Sequence, residues 1–362
     1  MIKKLLSLFF LFGLLLFQST IAEAKSSKVT EEVLDKIAKH YVNELKSNVK
    51  FRDKTDAIPF YDLDDNELGY YYQFDNGKDN FFLLLSSNTE YSLLFAAGSG
   101  EPSIVNIDNG GKYYYFGNVT LYEAEDGSNV VDFINKKSKR ESKITKKELN
   151  RLKKKPDAQA KWDSYVSDTA DQININATVR EHYIDGVKIY NQRGSGVTNN
   201  ESACGPTTMA TIAEYWRSEQ GKTRIRGENY YGSAADFINH MYRFHNGTPI
   251  GMNRVQLIDG LTDHITEVYD YQVEVDDSVF YIGYKSEIRN DRPVAIKFDD
   301  WFVIDGTWGE EYIYDFHWVT GVGYYTDGID NIIYVHDSVG GTRYIDYELH
   351  EDIITMVAFD IQ

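Results

Sequence analysis

From Lys136 to Pro156 the chain carries eleven basic and two acidic residues, set between two strongly acidic blocks. Residues 25–135 sum to a charge of −9 and those from Asp157 onward to −19. A packed core does not admit so many like charges at close spacing, so this stretch reads as an exposed linker between two folding units. The 362 residues are enough for both. Thr145, with Glu148 three residues on, forms a capping-box pattern and predicts a short solvated helix inside the linker. The lysine-rich strip ending at Lys153-Lys154-Lys155-Pro156 reads either as a plain spacer or as an activation segment open to trypsin-like proteases.

Upstream, Lys3 and Lys4 precede an apolar run of 13 residues, Leu5 to Phe17, and Ala22-Glu23-Ala24 supplies a small-x-small cleavage pattern. The run has the length of a signal-peptide core and is short for a bilayer span. The expected organisation is a signal peptide over 1–24, an N-terminal unit over 25–135, a basic linker over 136–160 and a second unit over 161–362. On this reading the protein is secreted or extracellular, and free of or associated with the cell wall. No membrane span remains once the signal is removed. The signal and the lysine- and tyrosine-rich composition point to a Gram-positive bacterium. A net charge of −18 and a pI near 4.9 argue against nucleic acid and anionic membranes as partners. With one cysteine, no intramolecular disulfide forms.

The N-terminal unit opens with a helical pattern. Thr30 is a cap, Glu31 and Glu32 suit the positive helix end, and Leu34, Ile37, Ala38, Tyr41, Val42 and Leu45 recur on one face. Strand-like runs follow at 69–74, 80–86, 91–97, 103–107 and 112–117, divided by Asn, Asp and Gly clusters. This is an α+β unit with no titratable cluster of catalytic appearance. Asp62, Asp64 and Asn66 open like a calcium loop. Glu67, however, stands where the turn needs glycine, and Gln73 where a bidentate carboxylate belongs, so no metal is assigned.

In the second unit, Glu201 to Met209 reads as a loop turning into a helix, with Pro206 in the tolerant first turn. Met209, Ile212, Ala213 and Trp216 then mark one buried face. Cys204 falls at the helix N-terminus, where the dipole and a nearby imidazolium favour a thiolate. A small buried hydrophobe is the other reading of a lone cysteine. A nucleophilic cysteine needs a base and an orienting group.

Among eight histidines, His240 and His245 lie in a helical pattern, whereas His317 opens the strand-like run His317-Trp318-Val319-Thr320-Gly321-Val322-Gly323-Tyr324-Tyr325. Ile332 to Asp337 reads as its hairpin partner. Pairing residues whose numbers sum to 654 sets His317 opposite Asp337, on one face. That even sum demands an odd loop or a bulge, and a slip by one residue would present His336 instead. Asp337 would hold the imidazole as the third member of a triad. The Cys204 amide and a side-chain amide would form the oxyanion hole. Gln192 is the favoured candidate, with Asn199 and Asn200 nearer in sequence.

Gln192-Arg193, Ala203-Cys204-Gly205-Pro206-Thr207-Thr208, His317-Trp318-Val319 with Gly321 and Gly323, and Val335-His336-Asp337-Ser338 together resemble the C39-like cysteine peptidases of the papain-like clan. The resemblance runs from about Asp185 to the C-terminus. It implies an α+β papain-like fold, a helix bearing the cysteine and an antiparallel sheet bearing the histidine and aspartate. It further implies Cys204 as nucleophile, His317 as base, Asp337 as orienter and Gln192 in the oxyanion hole. The insertion between the cysteine helix and the His317 strand, with Asp299-Asp300 and Glu310-Glu311, departs from the family and bears on substrate preference. The N-terminal unit resembles, more loosely, the prodomains of streptopain- and staphopain-type secreted proteases.

The expectation is a secreted zymogen whose N-terminal unit is an intramolecular inhibitor or chaperone. It would act on a peptide or protein substrate and need no cofactor and no metal. An amidase or transferase acting on cell-wall peptides would use the same residues. A non-catalytic binding protein would retain only the fold.

Overall fold

The computed structural model describes residues 28–45, 53–54, 57–75, 77–78, 80–108, 110–115, 120–138, 162, 180–299, 302–304, 312–314, 316–327 and 330–362. The signal-peptide reading at 1–24 and the linker from 139 to 160 lie outside the described residues.

The first helix is Glu31–Leu45, and its expected apolar face from Leu34 to Leu45 is buried. Strands follow at Ile58–Tyr61, Glu67–Asp75, Asn80–Ser86, Leu94–Ser99, Ser103–Asn106, Lys112–Tyr115 and Thr120–Ala124. A helix, Gly127–Ser138, then runs across the boundary drawn from charge. The first basic residue of the linker, Lys136, falls in its last turn, where the dipole favours cations.

In the second unit the cysteine helix, Cys204–Ser218, is surrounded by helices Ala234–Phe244 and Arg254–Thr266 on one side and by sheet on the other. It is buried on all faces from Cys204 to Trp216, rather than on the single face that periodicity suggested. Small residues allow this close embrace: a Cβ at Gly205 would lie 2.8 Å from Met252 Sδ, and one at Gly260 would lie 3.2 Å from Met209 Sδ.

Strands of both units join one sheet. The antiparallel series Ile354–Ile361, Val294–Phe298, His317–Thr326, Asn331–Asp337 and Thr342–Asp346 continues directly into Leu94–Ser99, Asn80–Ser86 and Glu67–Asp75. The seam is Arg343 opposite Gly98 and Tyr344 opposite Ala97. One hydrophobic cluster crosses it, with Leu34, Ile37 and Tyr41 of the first helix packed in the same core as Tyr324, Ile332 and Tyr334. Two polar links reinforce the contact: Tyr41 Oη donates to Asp330 Oδ2 at 2.7 Å, and Trp162 Nε1 donates to the carbonyl of Tyr91 at 3.0 Å.

The hairpin forms with a different register from the one expected. Asp337 lies opposite Val319 and His336 opposite Thr320, so the pair sum is 656 rather than 654. A bulge between Gly321 and Gly323 adds a residue to the His317 strand, and the last pair before the turn is Thr326 with Asn331. The displacement is by two residues, so His317 and Asp337 keep the same face. Glycine is needed at the bulge: a Cβ on Gly323 would stand 2.7 Å from the Tyr334 ring and 2.8 Å from the His182 carbonyl.

Candidate active site

Cys204 is the first residue of its helix, and Ala203 before it provides no side-chain cap. The N-terminal N–H groups therefore point toward the thiol's surroundings without a competing side-chain acceptor. His317 and Asp337 are both almost fully buried. His317 Nε2 is 3.0 Å from Asp337 Oδ1. The Cys204 thiol is the second side chain that acts on the ring, raising its pKa as Asp337 does.

Burial in the apolar interior disfavours the imidazolium. The hydrogen bonds the ring donates to Asp337 and Cys204, and then their charges, outweigh that cost and raise the His317 pKa to about 9. Asp337 is itself held from three sides. Val339 N donates to its Oδ1 at 3.2 Å, Arg343 Nε stands 3.7 Å from its Oδ2, and His317 takes the remaining direction.

Gln192 enters this group through residue 338. Its backbone N–H donates to the Ser338 carbonyl at 2.6 Å, and its Oε1 lies 2.9 Å from Ser338 Oγ. Its Nε2 donates to the Asn200 carbonyl at 2.6 Å. An amide nitrogen carries two protons, so one holds the loop and the second is the one an oxyanion role requires. Asn200 thus positions Gln192 through its backbone carbonyl. Asn199 adopts a left-handed conformation, φ 56°, where the chain turns toward Cys204.

Ser338 was quoted in the sequence motif with no role, yet it ties the site together. Its hydroxyl is 3.1 Å from His317 Nε2, 3.0 Å from the Trp318 carbonyl and 2.9 Å from Gln192 Oε1. One hydroxyl can accept from the ring N–H while donating to one of the two oxygens. Its position directly after Asp337 was the available signal, but strand alternation alone would turn it to the other face. The strand ends at Asp337, and the chain bends there.

The feared slip to His336 does not occur. That ring faces away, with Nε2 2.8 Å from Tyr183 Oη and Nδ1 3.3 Å from the Lys188 carbonyl. His182 stands 3.0 Å from Asp291. The calcium-like loop uses its carboxylate on itself: Asp62 Oδ1 accepts from the amides of Asp64 and Asn66 at 2.9 and 2.8 Å. Of the acidic insertion residues, Asp299 is described and pairs with Lys297, while Asp300, Glu310 and Glu311 lie outside the described residues.

Sequence reasoning missed a second cluster. His240, His245, His264 and Glu267 converge, with one donor atom from each lying within 4.8 Å of all the others. His264 had not been singled out, and no periodicity links it to the other two.

A comparison with curated proteins returned no match. Among solved structures, the chain is similar to a protein assigned as a C39-like peptidase from Bacillus anthracis. Identity is 12% and the TM-score 0.34 over 50% of this chain and 98% of that one. It is also similar to xylellain, a cysteine protease from Xylella fastidiosa, at 11% identity and a TM-score of 0.26 over 53% and 90% of the two chains. Digestive procathepsin L 3 of the Tenebrio molitor larval midgut matches at 14% identity and a TM-score of 0.27 over 49% and 69%. The family profile described as "Peptidase_C39 like family" matches residues 184–355, the span that holds Gln192, Cys204, His317, Asp337 and Ser338. Through that span, the C-terminal unit is similar to the C39-like peptidase family, and its helices and antiparallel sheet make it a mixed α+β unit.

Proposed function

We propose that this protein is a secreted cysteine peptidase, made as a zymogen, that hydrolyses peptide bonds with Cys204, His317 and Asp337. The observations that carry this reading are the buried contact of His317 with Asp337 and the rise in the ring's pKa to which both Asp337 and Cys204 contribute. The cysteine stands at the start of a helix. A ring held protonated beside a thiol is the arrangement of a thiolate–imidazolium pair.

In the reaction, Cys204 Sγ attacks the scissile carbonyl carbon, and the carbonyl π electrons move onto oxygen. The Cys204 amide and the second Gln192 Nε2 proton receive that oxyanion. The carbon–nitrogen bond then breaks as His317 passes its proton to the leaving amine, giving a thioester. Water, deprotonated by His317, attacks the thioester, releases the carboxylic acid and restores the thiolate. Asp337 and Ser338 keep the ring in one tautomer and orientation throughout.

The N-terminal unit is proposed as an intramolecular inhibitor or folding aid. The shared sheet seam and the Tyr41–Asp330 link support it, because they join that unit to the strands that carry the site. The basic segment is then the place where activation cleaves the chain.

The test is alkylation by iodoacetamide between pH 4 and 9, on the intact chain and after limited trypsin treatment. The peptidase reading expects fast modification of Cys204 at pH 5–6 after the cut, lost in His317→Ala, with the intact chain protected. Reaction only above about pH 8, as for an ordinary thiol, would end it.

A further inference from the structure

His240 lies on helix Ala234–Phe244 and His245 is the residue that ends it. His264 lies near the end of helix Arg254–Thr266, and Glu267 follows as its C-cap. The two helices approach closely at Gly260, where a Cβ would stand 2.6 Å from the His245 carbonyl. Their C-terminal ends thereby bring four donors to one point.

The distances suit a metal ion better than a hydrogen-bond network. His245 Nε2 is 3.2 Å from His240 Nε2 and 3.4 Å from His264 Nδ1. Ligands held at ~2.0–2.1 Å around a tetrahedral zinc ion stand ~3.3–3.4 Å from one another. Glu267 Oε2 is 3.8 Å from His264 Nδ1 and 3.9 Å from His240 Nε2, too long for hydrogen bonds.

The protons do not balance without a cation. His264 Nε2 is 2.8 Å from the Arg226 carbonyl and must donate to it, so Nδ1 presents a lone pair to the cluster. His245 can place one proton on Nε2 and satisfy one of its two ring neighbours, leaving the other lone pair opposed. Its Nδ1 is buried with no hydrogen-bond partner.

The surroundings are those of a ligand shell. Arg226 fixes two ligands at once, through its carbonyl to His264 and through its guanidinium to Glu267 Oε1 at 3.0 Å, which leaves Oε2 toward the histidines. Tyr231 stacks on His240 with ring centroids 4.3 Å apart.

We propose that His240, His245, His264 and Glu267 bind one zinc ion in a structural site. Four protein donors close a tetrahedron and leave no position for substrate. Gly260 packs against both His245 and Met209 of the cysteine helix, so the ion would fix the helices that support Cys204.

The experiment measures zinc on the untagged full chain. Metal content is determined as purified, and zinc chloride is then titrated calorimetrically into chelator-dialysed protein, with circular dichroism recording the fold. One zinc per chain and a higher melting temperature with zinc are expected. His264→Gln should weaken binding at least a hundredfold and Glu267→Gln at least tenfold, while His182→Gln leaves it unchanged. Glu267 is a part-exposed helix-end residue, so its variant keeps the test decisive where His264→Gln does not fold. A folded chain with no saturable zinc binding overturns the proposal, as does binding that survives in folded His264→Gln or Glu267→Gln.

Discussion

Replacing Asp337 by asparagine keeps the size of the side chain and a hydrogen-bond acceptor but removes the charge beside His317. In the native chain the ring titrates at about 9 although burial alone would drive it below its ordinary 6.5. Moving the midpoint from 6.5 to about 9 corresponds to about 3 kcal/mol, at ~1.4 kcal/mol per pH unit. The raised pKa means that the folded chain binds more protons than the unfolded one between these values. This contribution to stability is therefore complete below pH 6.5 and is lost as pH rises through 9.

Asp337 and Cys204 share the work of holding the proton, and an opposite charge in contact typically shifts a pKa by ~1–3 units. Asp337→Asn should lower the His317 midpoint by at least about one pH unit. Long-range proton–nitrogen NMR of the imidazoles reads the midpoint directly, with His317→Gln assigning the signal. Equilibrium unfolding at pH 6 and pH 9 provides the second reading, and the native chain should lose stability across this window more than the variant does. A native His317 that titrates near 6.5, or a midpoint unmoved in Asp337→Asn, would refute the reasoning.

Ser338→Ala leaves Gln192 Oε1, the Trp318 carbonyl and the His317 ring each short of one neighbour. It should cost about 1–3 kcal/mol by urea unfolding and lower kcat more than KM, while Cys204 still alkylates. Glu214 of the cysteine helix is almost fully buried and bonds Arg217, Lys188 and the Glu228 amide. Glu214→Ala strands Arg217 and should cost about 3–5 kcal/mol in the same assay. Burial raises the Glu214 pKa, but the bonds from Arg217, the Glu228 amide and Lys188 outweigh it and hold the carboxyl low. The stability it confers is present above the usual carboxylate range and lost as pH falls through its lowered value; unfolding curves at pH 3 and pH 6 check the sign. Tyr41→Phe removes the bond to Asp330 and should cost about 1.5–3 kcal/mol. That cost should appear in the transition that also unfolds the C-terminal unit, and a shift confined to a separate transition would count against their coupling.

The elements that could be read from sequence are those whose cause is local. The helix at Glu31 repeats its apolar residues at the helical period, and Cys204 follows a loop and precedes a Pro206 that suits only a first turn. His317 and Asp337 were legible as facing residues because strand alternation survives a shift of two. The register itself was not, since the bulge at Gly321–Gly323 sits where Tyr334 and the His182 carbonyl, from other strands, leave no room for a Cβ at Gly323. The histidine cluster was illegible for the same kind of reason. His245 and His264 meet because Gly260 lets two helices touch, a tertiary event with no periodic trace. The seam at Arg343 and Gly98 joins residues hundreds of positions apart, and the charge pattern suggested a boundary where the hydrogen bonds run on.

That seam changes what activation requires. A cut within the basic segment, as the zymogen reading demands, breaks the covalent connection and leaves the hydrogen bonds of Arg343 and Tyr344 with Gly98 and Ala97 in place. Release of the N-terminal unit would uncover Thr342–Asp346 as a new edge strand, with the unpaired backbone groups that edges expose. It would also remove the Ser99 carbonyl that accepts from Arg343 Nη1 at 3.0 Å. The same guanidinium stands 3.7 Å from Asp337 Oδ2. Losing one anchor, it would turn more fully to the carboxylate that holds His317 and draw on the same negative charge. On this geometry the N-terminal unit bears on the electrostatics of the site through Arg343, and a cut chain that keeps its seam differs chemically from one that has lost it.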